Sequence, residues 1–268
     1  MPGGCPTMIR GGRVDAWKTA LVDARDGQIR LRGYDVAGLM TGRSFTDVIF
    51  LLHRGELPTA AERRLLDAIL AAVADHGSGA PSCATARLAL SGNRQSVSAA
   101  VAAGILAVGD DHGGAGSGCM EMIAAGIQRA KTAGVSLEEA ALALATDARA
   151  AGKRLAGFGH RVHATDPRTG ILFELARQGG VAGDGVDFVQ AMERAIATIV
   201  KPLPINIDGA LAAVLHDMGF SPAFGRLVFI IGRVAGLTAE VAEELAREKP
   251  MRIRIPVEYD GVAPRALE

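Results

Sequence analysis

Apolar residues recur at helical spacing along most of the chain. Leu65, Leu66, Ile69, Leu70 and Val73 form one stripe and predict a helix from Pro58-Thr59 to Ala74, ended by Asp75-His76-Gly77. Similar patterns predict helices over 36–40, 44–53, 82–90, 95–108, 117–130, 137–150, 188–200, 207–215, 222–235 and 238–247. Ser136 and Glu139 have capping-box spacing ahead of 137–150. The 95–108 segment is apolar almost all round, which predicts central burial. The 222–235 segment reads as a buried helix carrying Arg226 and Arg233, and the next places Glu240, Glu243 and Glu244 on a wet face. TALVDARDGQIRLRGYD, with Asp26-Gly27 between two apolar stretches, predicts a β-hairpin. MRIRIPVEYDG alternates and reads as extended, and residues 1–14 read as a loose, glycine-rich start. The predicted fold class is mainly α with a small N-terminal β-hairpin. A candidate lobe boundary falls at 179–187.

Composition narrows the function classes. Of 268 residues, 49% are hydrophobic but only 4% aromatic, which favours helices crossing closely on small side chains. Lys+Arg and Asp+Glu both total 29 and no basic run appears, so nucleic acid is not expected as a partner. The longest apolar runs, 97–108 and 227–231, are too short to span a bilayer. No apolar h-region is visible at the N-terminus, so no secretory signal is expected. Cys5, Cys83 and Cys119 lack metal-like spacing and fit a reducing cytoplasm. Cys5 reads as a reactive thiol in a loose tail or, the favoured reading without an activating neighbour, as an inert one.

The candidate chemistry sits in glycine-rich or proline-rich breaks between helices. GFGHRVHATDPR carries His160 and Arg168, GDDHGGAGSG carries His112, ADHGSGAPS carries His76, and PLPINIDGALAAV carries Asp208. Glycine lets the backbone turn sharply there and approach a ligand. Asp208, at a helix start, could take a proton from carbon if His112 or His160 stabilised the resulting enolate. Arg168, Arg233 and Arg254 suit bidentate carboxylate binding. Structural readings stand beside these. His76 also fits a helix C-terminal cap, Asp208 an acid of a first helical turn, and Arg233 a partner for a structural carboxylate. His53, His163 and His216 read as structural or surface residues. His76, His112 and His160 lack zinc-ligand spacing, so no metal is expected.

Taken together, these segments resemble the citrate synthase family over nearly the whole chain. DGQIRLRGYDVAGLM with FTDVIFLLHRGELPT looks like the family's N-terminal hairpin and first helices. GDDHGGAGSG, GFGHRVHATDPR and PINIDGALAAVL look like its catalytic segments, and FIIGRVAG and MRIRIPVEYDG like its C-terminal arginine segments. The resemblance implies a citrate synthase-like multi-helical fold, with 1–178 as the N-terminal part of a large helical domain. It further implies a smaller lobe at 179–240 and a C-terminal arm at 241–268 returning to the large domain or to a dimer partner. It implies Asp208, His112 and His160 as catalytic residues acting on an acetyl-CoA enolate and the oxaloacetate carbonyl. His76, Arg168, Arg233 and Arg254 would bind oxaloacetate or citrate carboxylates, Arg254 across a homodimer. Gly113, Gly114, Gly157 and Gly159, with Lys153 and Arg154, become the candidate contacts for coenzyme A. The coenzyme A thioester would be a substrate, with no permanently bound cofactor.

Two departures set the chain apart within that resemblance. Only a short helix joins Pro58 to His76, and the spacing from His160 to Arg168 is one residue tighter than is usual in the family. The compact layout resembles citryl-CoA lyases and the C-terminal part of ATP-citrate lyase, although animal ATP-citrate lyases lack a histidine at the position of His112. The expected activity is therefore cleavage of citryl-CoA to acetyl-CoA and oxaloacetate, in the cytoplasm, with a citrate-activating ligase as a further candidate partner. A compact citrate synthase, using oxaloacetate or another 2-oxo acid, is the alternative. A non-catalytic subunit binding coenzyme A or citrate is the minor one.

Overall fold

Asp26 and Gly27 both take left-handed backbone angles (φ 55° and 71°), as a type I′ hairpin turn requires. Val22–Arg25 (β1) therefore folds back on Gln28–Leu31 (β2), with Arg25 opposite Gln28. Arg32 and Gly33 repeat the device (φ 48° and 88°) and add Tyr34–Asp35 (β3), so the expected hairpin is a three-stranded antiparallel sheet in the order β1-β2-β3. This computed structural model describes residues 17–159 and 166–266. The expected loose start at 1–14, with Cys5, and the residues His160 and His163 lie outside that range. Asp35 caps Val36–Gly42 (α1), and a Ser44–Asp47 capping box opens Phe45–Arg54 (α2). The Arg32 guanidinium donates to the Leu52 carbonyl at 2.9 Å, tying the second turn to α2. These elements belong to one compact unit ending at Pro58.

The second unit, from Thr59 onward, holds the remaining helices. Thr59 and Glu62 form a capping box at the start of Ala60–Val73 (α3), whose Leu65, Leu66, Ile69 and Val73 are buried as the stripe predicts. Pro81–Gly92 (α4) packs on Val97–Leu106 (α5) and on the long Phe224–Arg247 (α11). Ala115–Ala133 (α6), Leu137–Ala150 (α7) and Asp184–Ile199 (α9) pack around one another, and Ile207–Asp217 (α10) lies against α6, α9 and Pro167–Gln178 (α8). The predicted Ser136–Glu139 capping box opens α7. The fold is mainly α, with its only sheet among the described residues at the N-terminal end.

Five local expectations change. Helix α5 is not centrally buried: only Ala100 and Gly104 are, while Leu106 is 84% exposed. Gly104 lets the helix approach closely, since a Cβ there would stand 2.9 Å from the Ser82 carbonyl oxygen, but α4 and α11 cover one side only. The two helices expected at 222–235 and 238–247 are one, α11. Gly236 is not a break; a side chain there would collide with the Ala74 carbonyl, so the glycine serves a helix crossing. Glu240 and Glu244 are buried rather than wet, paired with Arg87 and, for Glu244, Arg252. Helix α8 was not expected; Asp166 caps it and Pro167 takes its first turn. Helix α9 starts at Asp184 rather than 188 because the Asp217 carboxylate accepts from Gly183, Gly185 and Val186 N–H at 2.7–3.0 Å, satisfying donors that a helix start leaves free.

Candidate active site

Asp208 sits in the first turn of α10, after the Asn206 N-cap. The Gly157-Phe158-Gly159 turn is strapped to the strand-like lead-in of this helix. Asn206 N–H donates to Gly157 O (3.0 Å), Gly159 N–H to Pro204 O (2.8 Å), and the Asn206 side-chain amide to Gly159 O (2.9 Å). Gly157 and Gly159 hold φ 88° and 81°. A Cβ on Gly157 would stand 2.8 Å from the Gly209 Cα, so glycine is required for backbone to meet backbone. Burial pushes the Asp208 carboxyl above its usual range; the Arg168 charge opposes, Asp166 reinforces, and Arg233 opposes. Its oxygens have no hydrogen-bond donor among the described residues. Cys119 lies beneath, its thiol pushed up by burial and then by the Asp208 charge.

Asp166 joins the pieces. Its carboxylate accepts from Arg168 Nε (2.9 Å) and Nη2 (2.8 Å), and from the Ile207 N–H beside Asp208 (3.1 Å). Burial works against its charge, but these bonds and the guanidinium hold its carboxyl below the usual range. Arg168 also donates to the Ala72 carbonyl at 2.9 Å. Asp75, His76, Asp166 and Arg168 line a cleft of about 630 Å³ between α3 and α8.

His112 lies in a tight turn closed by reciprocal backbone hydrogen bonds with Gly109 (2.9 and 3.0 Å). Its Nε2 meets Ser82 Oγ at 2.9 Å and the Ser82 N–H at 3.3 Å. Ser82 is in the first turn of α4, where backbone N–H groups are unused by the helix. An N–H can only donate, so Nε2 is an acceptor and the ring proton sits on Nδ1. Arg233 is 3% exposed and donates to Val73 O at 3.0 Å, to Ser82 Oγ at 3.5 Å and to Cys83 Sγ at 3.7 Å. Its guanidinium carbon lies 4.9 Å from the Phe229 ring centre, and that ring meets His112 edge-on at 5.6 Å.

His112, Arg233 and, through Asp166, Asp208 and Arg168 are thus gathered onto two linked clusters. Other candidates stand apart: Arg254 is exposed beyond α11, and Lys153 and Arg154 are exposed beyond α7. At Gly113 and Gly114 the space a side chain would need is taken by Phe229 and by the Gly109 carbonyl. His160 lies outside the described residues. Sequence reasoning missed Ser82, Asp166 and Phe229. Two weak signals were present: Phe229 stands one helical turn before Arg233, and Ser82 follows Pro81 at a helix start. Among the described residues, Asp75, Cys83 and Glu240 have the spacing to hold an ion, but Arg87 and Arg233 already engage Glu240 and Cys83.

A family model described as "Citrate synthase, C-terminal domain" matches residues 8–64 and 60–254. The structure of citryl-CoA lyase from Hydrogenobacter thermophilus superposes with a TM-score of 0.86 at 38% identity, covering 95% of this chain and 98% of that one. ATP citrate lyase from Methanothrix soehngenii shares the fold (TM-score 0.71, 17% identity), covering 93% of this chain and 43% of that one. The 2-methylcitrate synthase of Shewanella oneidensis is 30% identical over 224 residues, 82% of this chain and 56% of its own length. Citrate synthase 2 of Bacillus subtilis is 28% identical over 77% of this chain and 53% of its own length. The chain spans about half the length of these two synthases. No helix among the described residues is long and apolar enough to cross a membrane.

Proposed function

This chain belongs to the citrate synthase family, and from that premise we propose that it is a citryl-CoA lyase, splitting citryl-CoA into acetyl-CoA and oxaloacetate. The observation carrying this reading is the 38% identity to a citryl-CoA lyase with a TM-score of 0.86, set against 28–30% identity to synthases. In the reaction His160 takes the tertiary hydroxyl proton of the citryl group. The alkoxide collapses to the carbonyl of oxaloacetate, the carbon–carbon bond breaks, and its electron pair enters the thioester as an enolate. His112, with its proton on Nδ1, donates to that oxygen, and Asp208 protonates the carbon to give the acetyl methyl. A carboxyl whose pKa is raised by burial suits that last step, because it is more readily protonated than an exposed one. His76, Arg168 and Arg233 bind the carboxylates. Lys153, Arg154 and the glycines at 113, 114, 157 and 159 approach coenzyme A.

The protein acts as a homodimer, with Arg254 reaching the partner's site. The exposed position of Arg254 and the bare apolar side of α5, with Leu106 84% exposed, support this. A cytoplasmic location and a separate citrate-activating ligase complete the reading. The second reading, a compact synthase, draws on the synthase relatives. The test is product analysis by mass spectrometry with citryl-CoA alone, and with acetyl-CoA plus oxaloacetate. Acetyl-CoA and oxaloacetate from the first, with little free citrate from the second, is the expected result. Free citrate and coenzyme A from the second would make the enzyme a synthase. Turnover in neither would leave the subunit that only binds.

A further inference from the structure

We propose that Phe229 is a positioning residue that holds Arg233 and His112 as one rigid unit, so that the cation for the substrate carboxylate and the donor for the thioester oxygen keep a fixed separation. The inference rests on the roles given above to Arg233 and His112. Phe229 is 7% exposed on α11, one turn before Arg233. Its ring lies 4.9 Å from the Arg233 guanidinium carbon and meets the His112 ring at 5.6 Å and 81°. A side chain on Gly113 would collide with the same ring, so the turn carrying His112 is shaped to receive it. On the other flank Ser82 Oγ also reaches both, at 2.9 Å from His112 Nε2 and 3.5 Å from Arg233 Nη1.

Among the described residues, the polar groups that meet Arg233 are a carbonyl, a hydroxyl and a thiol. None cancels its charge. The negative face of an aromatic ring steadies a guanidinium while leaving its N–H groups to bind an anion, which a carboxylate partner would occupy. An aliphatic side chain of similar size would fill the space without supplying that attraction.

The test replaces Phe229 with phenylalanines bearing one, two and three fluorines, which drain the ring face stepwise with little change of shape. The kcat/KM for citryl-CoA should fall progressively, on the order of tenfold across the series, with Tm nearly constant. Phe229→Leu should reach the same loss and shift the imidazole nitrogen signals of His112 in NMR spectra of the ligand-free protein. If wild-type protein turns over but the fluorinated series is flat, the positioning role is overturned and the activity stands. If wild-type protein does not turn over, the activity reading falls. The His112 signals then decide alone: movement along the series sustains the positioning role, and fixed signals overturn it.

Discussion

Helix α11 carries two buried charge clusters built by opposite rules. Toward its C-terminal end, Arg87 from α4 is bonded to Glu240, Glu243 and Glu244, and Glu244 is bonded again by Arg252. Every strong donor there meets a strong acceptor. Bonds from Arg252 first, then Arg87, hold the Glu244 carboxyl below its usual range despite its burial. Near the other end, Arg233 is as deeply buried but among the described residues meets only neutral groups and a ring face, and Asp208 is desolvated with no hydrogen-bond donor among those residues. The paired cluster fixes where α4, α11 and the segment after it join; Met251 N–H donates to Ser91 O at 2.8 Å at the same junction. Among the described residues the other leaves charge unpaired, which on the proposed function would suit a substrate bringing its own carboxylates and developing enolate. Burial alone therefore does not distinguish the two clusters; how the buried charge is paired among the described residues does.

The widest separation between the clusters should come from Asp208→Asn. Its kcat should fall about 10³-fold. Its Tm at neutral pH should rise, because the folded-state pKa of Asp208 lies above its unfolded value and the ionised carboxylate opposes folding above that range. A loss of Tm instead would mean that Asp208 is paired after all. Arg87→Met should do the reverse, costing about 3–5 kcal/mol in chemical denaturation by stranding buried carboxylates, while the KM of the protein that remains folded changes little. A large rise in KM at unchanged stability would erase the distinction between the clusters.

Ser82→Ala should lower kcat on the order of tenfold and change its pH profile, since the Ser82 hydroxyl and N–H fix the His112 tautomer and the backbone N–H alone remains. Unchanged kcat and pH dependence would place Ser82 in the packing only. Asp166 makes a pH-dependent contribution of the opposite sense to Asp208. Its folded pKa is depressed, so its stabilisation is complete above the unfolded carboxylate pKa and is lost as pH falls through the folded one. Acid titration of Asp166→Asn against wild type should show their stabilities converging at low pH. The smallest effect belongs to Met251, held at φ 56°. Met251→Gly should gain about 0.5–1 kcal/mol if relief of the left-handed backbone dominates, and a loss would show that the freedom glycine adds to the unfolded chain outweighs it.

Much of this was legible in the residue pattern. Apolar periodicity marked α3, the Ser136–Glu139 capping pair marked α7, Asp26-Gly27 marked the first turn, and four ordered polar motifs supplied the candidate residues. Local signals of this kind act within one or two helical turns, so they are written in the chain itself. The rest depended on what each face meets. Gly236 reads as a break until the Ala74 carbonyl lies against it, and Glu240 and Glu244 read as wet until Arg87 arrives from a segment some 150 residues away. The all-apolar surface of α5 reads as core, yet one side has no neighbour within the described chain. The starting point of α9 was set by Asp217, and the proton on His112 by the Ser82 N–H. Residue type fixes what a group can donate, accept or bury; only the tertiary structure brings distant chain segments close enough to decide which of those capacities is used.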